Sequence, residues 1–296
     1  MISTPAGTPQ GAPQRTPQGA PQRTPQGTPQ GTPENALFAS LTPAERIIVA
    51  LDCGASQAIA LAEALQGQAH WLKVGMTLFY REGPGIVAAL KEKGYKVFVD
   101  LKLHDIPHQV RGAAKSVVLS GADMLSIHAS GGRAMMEAAR EGALAGFDVL
   151  VKEAGSICSA KSSEPIPQVF QPITLGITVL TSMDTQTMVS VGIDADASAQ
   201  VRRLTLLAHE AGLSGVVASS LEAQMLRRLL GPGAAIVTPG VRPAGSSTDD
   251  QSRVATPLAA LEAGASHLVI GRPITEADDP VLAFATIVSE IERGLA

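Results

Sequence analysis

The sequence specifies a (β/α)8 barrel, an α/β fold, behind a low-complexity N-terminal tail. Short apolar runs alternate eight times with longer amphipathic segments, the pattern of strand–helix units wrapped around a parallel sheet. The 296 residues suit one such barrel, which commonly takes about 250. Hydrophobic residues make up 45% of the chain but aromatics only 3%. The core must therefore be built from Ala, Val, Leu and Ile, the residues of parallel strands buried on both faces. A doubly wound open sheet is the alternative, and the strand count favours the barrel.

Residues 1–38 stand apart. The units TPQG and APQR recur there, giving Pro, Gln, Gly and Thr with almost nothing apolar. Such a segment cannot bury enough surface to offset the entropy of ordering it, and it reads as a disordered, partly polyproline-like extension. A docking arm is the other reading. The barrel domain occupies residues 39–296. It opens with Thr42-Pro43-Ala44-Glu45, a hydroxyl and a carboxylate three apart, as in a capped first turn.

The expected strands are 47–51, 70–74, 96–101, 124–127, 174–180, 215–218, 235–238 and 267–270. The expected helices are 57–66, 85–94, 109–120, 132–145, 197–211, 221–230, 257–263 and 281–293. Between Phe147 and Pro172 the chain reads as a long surface loop, an insertion after the fourth helix.

Composition excludes several classes. A net charge of −4 argues against binding nucleic acid by neutralising phosphates. Two cysteines, Cys53 and Cys158, are too few for a disulfide framework, so a reducing cytoplasm is expected. No apolar run reaches the roughly 20 residues of a membrane span, and the N-terminus lacks the apolar stretch of a signal peptide. The six histidines show no metal-ligand spacing, and Gly131-Gly132 lacks the spacing of a dinucleotide fingerprint. His104 and His108 are four apart, but Pro107 between them argues against a shared helix face.

Reactive groups of a barrel gather at the C-terminal ends of its strands. Asp52 ends the first expected strand, Lys73 the second, and Asp100 and Lys102 the third, with Asp105 in the next loop. Asp100 and Lys102 are two apart, so on an extended strand they face the same side. Buried charges are costly unless paired. Alternating Lys and Asp therefore make either a pre-organised site or a structural ion network, and the barrel mouth favours the site. A second constellation follows the seventh and eighth strands, where this fold usually binds phosphate. Gly240-Val241-Arg242-Pro243 and Gly271-Arg272-Pro273 combine glycines that let backbone N–H groups approach an anion with planar guanidinium forks. The polar stretch 243–251 beside them has the composition of a closing lid or of an ordinary surface loop, and Gln251 could donate from it.

These motifs, in this order, resemble the orotidine 5′-phosphate decarboxylase family. The resemblance rests on Ile48-Val49-Ala50-Leu51-Asp52, Trp71-Leu72-Lys73-Val74-Gly75, the run from Asp100 to Pro107, Leu180-Thr181-Ser182-Met183 at the end of the fifth strand, and the two Gly-Arg loops. It spans residues 46–293. His108-Gln109 departs from the Asn-Thr of many members, and the 147–172 insertion is longer than expected for short bacterial ones.

The resemblance implies decarboxylation of orotidine 5′-monophosphate to uridine 5′-monophosphate, without metal or organic cofactor, in a homodimer with sites at the subunit interface. It also implies roles. Asp52 and Lys73 hold the ribose hydroxyls. Asp100 sits against the departing carboxylate, and Lys102 stabilises the carbanion and delivers the proton. Asp105 completes the array from the partner subunit. Thr181 and Ser182 face the pyrimidine, while Arg242, Gln251, Gly271 and Arg272 grip the phosphate. The nearest rival is a metal-dependent sugar-phosphate decarboxylase or aldolase of similar barrel type. It shares the D-x-K-x-x-D pattern of Asp100, Lys102 and Asp105, but places an acidic residue where this chain has Lys73. A phosphate-ligand sensor without catalysis is the remaining reading.

Overall fold

The computed structural model describes residues 38, 40–160, 170–194, 196–243 and 255–295. Of the expected 1–38 tail all but Phe38 lies outside the described residues, as does most of the expected lid, with Gln251.

Eight parallel strands close into a barrel in sequence order. They are β1 (Ile47–Ala50), β2 (Trp71–Gly75), β3 (Lys96–Leu103), β4 (Met124–His128), β5 (Ile173–Ile177), β6 (Gly215–Val217), β7 (Ala235–Pro239) and β8 (His267–Ile270). β8 pairs with β1 through Ile48↔Val269 and its neighbours, so no sheet edge is left open. The open-sheet alternative is thereby overturned. The first turn forms as its sequence suggests. Thr42 caps the helix Pro43–Arg46 through a capping box, its hydroxyl accepting from Glu45 N–H while the Glu45 carboxylate accepts from Thr42 N–H.

Alternation along each strand sorts side chains into two cores. Ile47, Val49, Leu72, Val74, Val97 and Val99 pack outward against the helices. Ile48, Ala50, Trp71, Phe98, Met124, Leu175, Val237 and Val269 fill the barrel interior. Phe38 belongs to this inner cluster. It packs edge-on to the buried His267 ring at 5.5 Å, and Trp71 does the same at 5.7 Å, so three rings plug the lower end of the barrel. The upper end is where the interior turns polar.

Four expectations about the elements need correction. The helix after β4 does not stop near residue 145; it runs from Arg133 to Ala160, 28 residues, so much of the expected 147–172 loop is helix. Phe147 and Leu150 continue the apolar stripe of Ala139 and Ala143 onto the core, a helical period hidden by the polar residues between them. This helix lies close against Pro107–Leu119, and a Cβ at Gly142 would collide with the Arg111 carbonyl. β5 ends at Ile177, so residues 180–183 form a turn beyond it, closed by Met183 N–H to the Leu180 carbonyl at 2.9 Å. Lys73 is the middle residue of β2, not its end, and β3 runs on to Leu103. Three short helices, Met76–Glu82, Thr185–Ser190 and Arg272–Thr275, were not expected, because segments of four to seven residues carry too little periodicity to read.

Candidate active site

The inward alternation of β2 and β3 carries two charged groups into the top of the barrel. Lys73 and Asp100 are both buried, at 7% and 8% exposure. Taking such charges out of water is costly unless each meets an opposite charge. Here they do. Lys73 Nζ lies 3.0 Å from Asp52 Oδ1 and 3.6 Å from Asp100 Oδ2, and Lys102 Nζ lies 2.8 Å from the same Asp100 oxygen. Asp52, Lys73, Asp100 and Lys102 thus form one row of alternating sign, rising from the exposed rim at Asp52 into the barrel and back out to Lys102. Gly75 leaves room for it: a Cβ there would stand 3.1 Å from Asp52 Oδ1 and 3.2 Å from Lys73 Nζ.

Burial pushes the Asp100 carboxyl up. The Lys73 and Lys102 ammoniums, with hydrogen bonds from Lys102 and Ser126, outweigh it and hold the group below the usual carboxylate range. Asp100 is therefore an anion at neutral pH.

The Asp100–Lys102 contact does not arise from regular strand alternation, as their spacing suggested. Lys102 has φ 54°, in the left-handed region and the sole non-glycine residue there among the described residues. Such a backbone costs an L-residue on the order of 1–2 kcal/mol. Register between β3 and β4 slips at this point: Val99 is level with Leu125, but Leu103 is level with Ile127. Four steps along β3 match two along β4, so the strand bulges around Lys102. Ser126, fully buried on β4, fills the gap. Its hydroxyl donates to Asp100 Oδ1 at 2.7 Å and accepts from the Lys102 backbone N–H at 2.9 Å. The sequence pointed to neither the bulge nor Ser126; a lone serine in an apolar strand carries no signal of its own.

The row lines a cavity of about 670 Å3 at the mouth of the barrel. Its apolar wall includes Phe98, Ile177 and Val217, and Gly240, Arg242, Gly271 and Arg272 line it as well. Arg242 is buried at 8% exposure and its backbone N–H bonds the Ala255 carbonyl at 3.1 Å. Gly271 precedes the four-residue helix Arg272–Thr275. A Cβ at Gly271 would lie 3.9 Å from Asp52 Oδ2, so the loop after β8 adjoins the start of the charged row. Thr181 is on the cavity wall, while Ser182 beside it is exposed and not part of that wall.

Asp105 stands apart from the row. It is exposed, and its carboxylate accepts from the neighbouring Ile106 N–H at 2.6 Å. His104 precedes the helix that begins at Pro107 and lies against His128, ring centroids 5.3 Å apart. Burial, then the nearby His104 and Lys102, push the His128 imidazole below its ordinary value against the opposing pull of Asp100. Cys53 and Gln57, not singled out by sequence, also line the cavity beside Asp52. No group of three His, Cys, Asp or Glu side chains among the described residues is arranged to hold a metal ion. No helix among them is long and apolar enough to cross a membrane.

A cavity with one ionic wall and one Gly-Arg wall, at the C-terminal mouth of a barrel, has counterparts in known proteins. An orotidine 5′-phosphate decarboxylase of Moorella thermoacetica is 46% identical over 250 residues, covering 84% of this chain and 92% of the relative. One from Pseudomonas savastanoi is 44% identical over 246 residues, covering 83% and 97%. The crystal structure of orotidine 5′-phosphate decarboxylase from Lactobacillus acidophilus superposes with a TM-score of 0.69 at 33% identity, covering 83% of this chain and 99% of that one. The sequence profile of the orotidine 5′-phosphate decarboxylase / HUMPS family matches residues 45–287, which hold all eight strands, the charged row and both Gly-Arg loops. By that match and by the identity of its relatives, the chain belongs to the orotidine 5′-phosphate decarboxylase / HUMPS family.

Proposed function

We propose that the chain converts orotidine 5′-monophosphate to uridine 5′-monophosphate and CO2, with Lys102 as proton donor. The observation that carries this reading is the row Asp52, Lys73, Asp100 and Lys102 on one wall of the cavity, with Arg242 and Arg272 on the other. Decarboxylation breaks the bond between ring carbon C6 and the carboxylate. The electron pair stays on C6 in an sp² orbital that no ring carbonyl delocalises. Without an electron sink, stabilisation falls to fixed charge. The Lys102 ammonium supplies it, then gives its proton to C6 as CO2 leaves. Asp100, held anionic, sits against the substrate carboxylate and fixes the ammonium beforehand.

Asp52 and Lys73 hold the ribose hydroxyls, and Thr181 and Ser182 face the pyrimidine. Arg242, Gly271, Arg272 and Gln251 bind the phosphate. Binding there, remote from the reacting carbon, supplies energy to assemble the site. The exposed position of Asp105 suits a carboxylate that completes the array of a second subunit, so the working form is a homodimer. The reaction needs no metal or organic cofactor, the enzyme works in the cytoplasm, and it has no nucleic-acid partner. Lys73 separates this reading from the metal-dependent sugar-phosphate rival, since an ammonium in the middle of the site repels a divalent cation.

The test is loss of orotidine 5′-monophosphate absorbance with purified protein, with and without EDTA. Rapid turnover indifferent to EDTA is expected. Folded protein that leaves the substrate intact, or activity abolished by the chelator, would transfer the assignment to the sensor or to the sugar-phosphate rival.

A further inference from the structure

We infer that Ser126 is a positioning residue: one hydroxyl fixes both the Asp100 carboxylate and the backbone that carries Lys102. The inference rests on Lys102 being the proton donor. Ser126 is fully buried in the middle of β4 and is not on the cavity wall, so it acts through its neighbours. Its two bonds run to the two ends of one problem. At Lys102 the β3–β4 ladder is out of register, and the backbone N–H takes Ser126 Oγ as its acceptor at 2.9 Å. The same oxygen donates to Asp100 Oδ1 at 2.7 Å. With Oδ1 engaged by Ser126, Oδ2 is turned to Lys102 at 2.8 Å and Lys73 at 3.6 Å.

The left-handed bulge places the Lys102 side chain beside Asp100 rather than along the strand, and a bulge needs something to hold it. Removing the hydroxyl leaves a buried N–H without its acceptor and a carboxylate free to rotate. A proton donor displaced by about an ångström loses roughly 100-fold in rate. Among the described residues the Ser126 side chain hydrogen-bonds only Asp100 and the Lys102 backbone, so substrate affinity is carried elsewhere.

The experiment compares Ser126→Ala, Ser126→Thr and Ser126→Val in the full chain by kcat, KM and thermal midpoint. Thr and Val have nearly the same shape and differ in the hydroxyl, so their difference isolates the hydrogen bonds from any crowding. The expected result is a kcat lowered about 10- to 100-fold in the Ala and Val variants and within about 3-fold of the parent in Thr, with KM changed less than about 3-fold throughout. Parental turnover in Ser126→Ala, or equal kcat in the Thr and Val variants, would overturn the inference. So would kcat and KM failing together with the thermal midpoint. If the Ala variant does not fold, the Thr–Val pair still decides. Lys102→Arg, run alongside, keeps the two claims distinct. Full activity there removes the proton donor, whereas an inactive Lys102→Arg with an unimpaired Ser126→Ala removes only the role of Ser126.

Discussion

Lys102 Nζ sits 2.8 Å from Asp100 Oδ2 because the backbone at Lys102 leaves the strand conformation, not because the two residues share a face of a regular strand. The contact leaves the ammonium partly open, its side chain 28% exposed toward the cavity, while Asp100 is buried behind it. The proposed proton donor thus faces the cavity.

Lys102→Arg should therefore fold with an unchanged thermal midpoint and lose about three orders of magnitude or more in kcat. A guanidinium keeps the positive charge but does not surrender a proton at neutral pH. Circular dichroism with the absorbance assay checks both halves of this expectation. Turnover near the parent would exclude Lys102 as donor.

Arg272→Ala should act mainly on KM. Arg272 lines the cavity outside the row of Asp52, Lys73, Asp100 and Lys102, so in the proposed site its loss weakens the hold on phosphate before it disturbs the chemistry. An increase in KM of about 10- to 100-fold, equivalent to the loss of one charge-assisted contact, is expected from steady-state kinetics. A pure kcat defect would place the phosphate elsewhere.

The proposed sharing of sites between subunits predicts complementation. Lys102→Arg and Asp105→Ala should each be inactive alone. Mixed after exchange of subunits, half of the dimers would be hybrids with one intact site, so about a quarter of parental activity should return. Silence on mixing, with exchange verified, would mean that Asp105 does not cross between subunits.

Phe38 sets the limit of a harmless N-terminal deletion. Its ring is buried at 7% exposure against His267. Removing residues 1–37 should change neither turnover nor the thermal midpoint. Removing Phe38 as well should lower the midpoint by roughly 5–10 °C, the cost of emptying a buried aromatic site. Differential scanning calorimetry of the two truncations distinguishes them.

His267 should make the fold acid-sensitive. Burial, with Arg46 and Lys96 nearby, lowers its imidazole from an ordinary 6.5 to about 3. The unfolded chain takes up a proton below about 6.5 that the folded chain refuses until about 3. Stability therefore falls as pH drops through that window and is fully present above it. In His267→Gln the midpoint should depend less steeply on pH between those limits. An unchanged slope would show that other groups carry the acid sensitivity.

The barrel was legible because its signal repeats: eight apolar runs of four to seven residues report the same period, and an error in one leaves the others standing. Lys73, Asp100 and the Gly-Arg loops were legible because charge at a strand end is conspicuous against apolar neighbours. The Lys102 bulge was not, since register is a relation between two strands and nothing local marks where β3 and β4 lose step. Ser126 was hidden for the same reason: its importance comes from what lies across the ladder from it. The helix to Ala160 was missed where polar residues diluted its stripe, and the turn after Ile177 where apolar residues continued past the last ladder bond.

The ionic wall comes from β1 to β3, near the start of the barrel, whereas the Gly-Arg wall comes from β7 and β8, near its end. Gly271 meets the neighbourhood of Asp52 only when β8 has paired with β1. During synthesis, then, the charges are made early and the loops proposed to anchor the nucleotide arrive last. An unfinished chain holds the charges without the Gly-Arg loops beside them, and closure of the ring is the event that brings the two together.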